Sequence, residues 1–164
     1  MDQNITSVLN ELVETSKDGE KGFRTAAEDT KNAELKTIFL RRAEDCKKGA
    51  TELQQMVSRL GGKAEDGGSV AGALHRGWVN LKSAVSDRDD LAILEECERG
   101  EDVAKAKYRA ALEDNTLPED IRAAVQRQYD GVVRNHDQIR DLRDRFRLPA
   151  GGQTASDGRT SLNR

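Results

Sequence analysis

The chain has 164 residues, with 27 Lys and Arg against 30 Asp and Glu, for a net charge of −3. Charged residues make up 35% and aromatic residues only 4%. That is too little wide apolar surface for the faces of a β-sandwich, no run approaches the ~18 apolar residues of a membrane-spanning helix, and two cysteines are too few for a disulfide scaffold.

Residues 3–28 place Ile5, Leu9, Leu12, Ser16, Glu20, Phe23 and Ala27 at spacings of three and four, the seam of an amphipathic helix. A second seam over 33–60 runs Leu35, Phe39, Arg42, Cys46, Gly49, Leu53, Met56 and Leu60, and Gly61-Gly62 supplies its stop. Only 29–32 separate the two, so they are expected to pack antiparallel. The polar stretch 60–69 is a loop. After it, Ala71, Leu74, Trp78, Leu81 and Val85 mark a shorter helix over 69–86. At ~1.5 Å per residue it would be about 25 Å long, enough to travel most of a bundle.

Asp89 or Asp90 is placed to cap a third long helix over 90–114, whose seam includes Leu91, Leu94, Glu98, Glu101, Ala104 and Tyr108. Thr116-Leu-Pro-Glu119 reads as a capping box opening a fourth helix over 117–147, with Ile121, Val125, Gln128, Val132, His136, Ile139, Leu142 and Phe146 on one face. Pro149 ends it. The expected organisation is one domain over 1–148 and a disordered tail over 149–164. The long 2–3 connection lets helices 2 and 3 run parallel. The expected fold is therefore all-α, a ferritin-like four-helix bundle with a crossover containing a short extra helix.

Each seam carries groups that need partners if buried. Glu20, Arg42, Glu98 and His136 lie at about the same height when the helices are aligned by their ends, with Glu101 one turn beyond Glu98. Two arrangements suit such a layer. One is a carboxylate-rich metal site using Glu20, Glu98, Glu101 and His136, in which hard carboxylates neutralise the cation and His supplies a nitrogen. The other is a metal-free ion-pair network, Arg42 with Glu20 and Glu98, and His136 bonded to a Glu. Helix 2 has no His, and no Glu-x-x-His occurs.

Cys46 and Cys97 have no CxxC spacing, and parallel helices would offset them by roughly 10 Å, beyond the ~7 Å limit for a disulfide. Free, buried thiols are expected. His75 sits beside the Leu74/Trp78 face as a packing residue. Gly19 and Gly22 flank Glu20 inside helix 1, and a close approach by another element, with the crossover helix as the candidate, would explain them. No phosphate-binding loop and no Ser/His/Asp or Cys/His nucleophile set is present.

The segments LNELVETSKDGEKGFRTAAED (9–29), GGSVAGALHRGW (67–78) and ILEECERGED (93–102) resemble a bacterial family of ferritin-like four-helix bundles of unknown function. The resemblance is collinear over roughly 4–147. It implies a rubrerythrin/ferritin-like fold and a link to stress responses. Relatives in that superfamily bind two irons through Glu and Glu-x-x-His, and only Glu20, Glu98 or Glu101, and His136 carry over.

The expected function is a non-catalytic, stress-associated structural or interaction module, with a homodimer as the expected assembly. The alternative is a bundle that binds Fe or another divalent metal, with iron-handling or oxidase activity. A pI near 5.5 gives no electrostatic reason to bind nucleic acid or an anionic membrane. The N-terminus MDQNITSVLNELVE lacks the basic and apolar regions of a signal peptide, so a cytoplasmic location is expected.

Overall fold

A computed structural model describes residues 2–65 and 89–147. The expected helix over 69–86, with His75 and Trp78, and the tail over 149–164 lie outside the described residues. Four long helices make up the rest: α1 (Asp2–Asp29), α2 (Ala33–Arg59), α3 (Asp90–Leu112) and α4 (Glu119–Arg147). There is no strand among the described residues. The fold is an all-α four-helix arrangement.

Local chemistry sets the ends. Asn32 accepts from the Leu35 N–H and Asp89 from the Leu91 N–H, so each caps a first turn. Helix α2 ends at a left-handed residue, Gly61, at φ +82°. There the Gly62 N–H bonds the Val57 carbonyl and the Gly61 N–H that of Ser58, both at 3.0 Å, which closes the orphan carbonyls of the last turn. The α3–α4 turn departs from expectation. Thr116 does not cap α4; its backbone N–H and hydroxyl both bond the Asp114 carboxylate. A short polar side chain two residues upstream competes well for the same donor.

Contacts along α1 and α3 fix their directions. Asn4 reaches Asp114, Ser16 reaches Tyr108 and Thr30 reaches Asp90, so the two helices run antiparallel. Since α2 also folds back on α1, α2 and α3 point the same way. Helix α1 packs between α2 and α3, and α4 closes the square beside α3, touching α2 through Glu52–Arg127 and Glu34–Arg145.

The apolar interior is in two parts. One gathers Phe23, Leu35, Phe39, Ile93, Leu94, Cys97, Ile139 and Leu142 near the 30/90 end. The other gathers Leu9, Leu12, Val13, Leu53, Val57, Tyr108, Ile121 and Val125 towards the opposite end. A polar layer lies between them.

Candidate functional site

Two chains of polar contacts make up that layer. In the first, Tyr108 donates its hydroxyl proton to Gln128 Oε1 at 2.7 Å, so the Ser16 hydroxyl, 3.1 Å away, donates to the Tyr108 oxygen. Gln128 Nε2 in turn donates to Glu52 at 2.7 Å and to the Gly49 carbonyl at 3.3 Å. Burial pushes the Tyr108 phenol well above its ordinary value. The neighbouring Cys46 thiol is pushed up to about 12 by burial, and Cys97 is raised too. Both cysteines are free and buried, as expected, and neither has the thiolate character of a nucleophile.

The second chain is a buried ion pair. Arg42 Nε lies 2.8 Å from Glu101 Oε2, with the two side chains 10% and 3% exposed. Asn135 also donates to Glu101, and the Arg42 guanidinium stands 6.0 Å from the centre of the Phe23 ring. Glu20 does not join this pair and bonds Arg24 on its own helix at 3.0 Å. Arg42 therefore pairs with Glu101 rather than with Glu20 or Glu98. Gly19 also finds a different neighbour from the expected one: a Cβ there would stand 2.9 Å from Cys46 Sγ, so α2 is what approaches it.

Glu98 and His136 do meet, on the seam between α3 and α4. A helix turns about 100° per residue, so Glu98 and Asp102 lie about 40° apart on one face, while Glu101 points about 60° to the other side. His136 Nε2 is 2.8 Å from Asp102 Oδ1 and 3.7 Å from Glu98 Oε2. Its Nδ1 is 3.1 Å from Asp137 Oδ1. The His136 side chain is 8% exposed, Asp102 58%. Glu98 also bonds Arg143, which pairs with Asp144 at 2.8 Å. The ligand atoms of Glu98, Asp102 and His136 all lie within 4.8 Å of one another.

The four residues expected to form one metal layer thus stand in three places: Glu20 with Arg24, Glu101 with Arg42, and Glu98 with His136. Asp102 and Asp137 escaped the sequence reading because they sit outside the apolar seam. The signal was the i, i+4 spacing of Glu98 and Asp102, two carboxylates one helical turn apart. The residues do not fit a dinuclear iron centre. At the position where α2 would supply a ligand it presents Arg42, whose charge Glu101 already balances.

Fold and site together define an all-α four-helix protein with a buried Arg–Glu pair and a carboxylate–histidine cluster at its edge. Residues 4–114 match the family described as a domain of unknown function (DUF2383), and the chain belongs to that family. The matched stretch carries Arg42, Glu98, Glu101 and Asp102, and stops short of α4 and His136. No curated protein matches the chain. Among the described residues no helix is long and apolar enough to cross a membrane.

Proposed function

We propose that this chain is a ferritin-like helical scaffold that holds one divalent metal ion between α3 and α4, through Glu98, Asp102 and His136. The shared direction of α2 and α3 supports the ferritin-like topology. The observation that carries the metal reading is the convergence of three ligand atoms within 4.8 Å. Two carboxylates would neutralise the ion and suit Mn, and an imidazole suits Fe or Zn. Ligand atoms on one such ion lie about 3 Å apart, within reach of side-chain rotation from the observed positions. Asp137 at Nδ1 would orient the ring and leave Nε2 for the ion. Glu98 would give up its bond to Arg143, and the exposed side of Asp102 leaves coordination positions for water. The interior needs no cation, since Arg42 already balances the charge of Glu101, which Asn135 also bonds.

The test is the melting temperature of chelator-stripped protein with added Mn(II), Fe(II) or Zn(II). Saturation at about 100 times Kd should add ~2.7 kcal/mol to stability, a rise of several degrees. The rise should vanish in His136→Ala and Asp102→Ala and persist in Glu20→Gln. No rise with any of the three ions, or a rise lost in Glu20→Gln but kept in Asp102→Ala, would contradict the reading.

A further inference from the structure

A second site lies on the opposite side of Glu101, in a cavity of about 440 Å³ between α2 and α4 whose floor is the polar layer. We infer that this cavity binds a small organic oxyanion, a molecule with one carboxylate or phosphate group on a compact body, with Arg42 holding the anionic group. The inference does not depend on the cation site.

On the floor, Tyr108 and Gln128 have committed their donors to each other, to Glu52 and to the Gly49 carbonyl. Arg42 has not. Glu101 takes its Nε–H and one Nη2–H, and both Nη1–H groups find no acceptor among the described residues. The side chain is nine-tenths buried, so these donors face the cavity rather than open solvent. A guanidinium with free, coplanar donors in a partly desolvated place is a receptor for a planar or tetrahedral oxyanion.

Charge agrees. The cavity wall holds Arg41, Arg42, Arg127 and Arg134 against Asp45 and Glu101. Arg42 is balanced by Glu101 and Arg127 by Glu52. Arg41 and Arg134 form no ion pair among the described residues, and on this wall only Asp45 remains to offset them, although Arg134 also borders Glu34, Asp137 and Asp141 on its other side. A protein of net charge −3 has concentrated a positive excess around one concavity.

The helix backbones leave the room. Gly49 and Gly131 face the cavity from α2 and α4, each inside a helix where glycine costs about 1 kcal/mol against alanine. Packing does not demand glycine at either place. A Cβ would meet nothing closer than Gln128 at 3.5 Å and Arg134 at 3.6 Å respectively, ordinary contact distances. What the missing side chains provide is volume, and the cavity is within the range of small-molecule sites. Ile38 and Val132 give it apolar wall for an organic body.

Calorimetric titration at low ionic strength tests this with phenyl phosphate, benzoate and inorganic phosphate on the full chain. Phenyl phosphate or benzoate should bind at one site per chain, and inorganic phosphate about tenfold more weakly because it leaves the apolar wall uncovered. Gly131→Leu, which fills the cavity without altering charge, should abolish binding. The surface double variant R41Q/R134Q should weaken it about tenfold or more. Both variants should keep the parent's circular dichroism, with R41Q/R134Q melting like the parent and G131L at or above it, since leucine removes the helix cost of glycine. The inference is overturned if neither organic anion binds, if inorganic phosphate binds as tightly as both, or if G131L binds like the parent.

Discussion

Arg42 and Glu101 show what a single buried pair demands. Each would be an isolated charge in the interior without the other. Arg42→Ala should cost about 3–5 kcal/mol, because Glu101 is left uncompensated, and the double variant Arg42→Met/Glu101→Leu should recover most of that loss. Urea unfolding of the two variants checks it; equal losses in the single and double variants would count against a paired interior. Glu14 works in the opposite sense. Burial first, then Glu65 and Glu11, raises its carboxyl above the ordinary value. The folded protein holds that proton more tightly than the unfolded chain. Its contribution is therefore full below the unfolded pKa and is lost as pH rises through the folded one. Glu14→Gln should stabilise the protein at pH 7 by less than ~1 kcal/mol, the scale of half-exposed charge contacts. The gain should fade towards pH 4, which melting curves at the two pH values would show.

At the scale of the helices, Gly19 records how closely α1 and α2 approach. A Cβ there would stand 2.9 Å from Cys46 Sγ, a clash set against the ~1 kcal/mol of helix propensity that alanine brings. Gly19→Ala should be more favourable in a Cys46→Ala background than in the parent, with a coupling of about 0.5–3 kcal/mol in denaturant unfolding. Simple additivity would mean the helices part without cost. Helix ends and directions were legible in the sequence, because apolar spacing, Asp89 and Gly61 act locally, while Asn32 as the cap of α2 was not singled out. The start of α4 was not, because Asp114 and Glu119 both stood within reach of Thr116 and only the folded turn selects between them. The polar layer was legible as a height along the bundle. Its pairings were not, since partners depend on the angle around each helix axis. Glu98 and Glu101 stand within one turn of each other on α3, yet one meets His136 and the other Arg42.

Across the whole molecule, the high charge and thin apolar content are partly properties of the interior. Two apolar clusters stabilise the two halves of the bundle, and between them Ser16, Arg42, Glu101, Tyr108, Gln128 and Asn135 form a layer where bonding replaces packing. That layer leaves a cavity on the α2–α4 side, while the carboxylate–histidine cluster stands on the α3–α4 seam. We propose one cation at that seam and none in the interior, where Arg42 fills the place of a helix-2 ligand. Equilibrium dialysis of the metal-free protein against Mn(II) or Zn(II), with bound metal counted at saturation, tests this most directly. One ion per chain, lost in His136→Ala, is the predicted result. No bound ion, or two per chain, would contradict it.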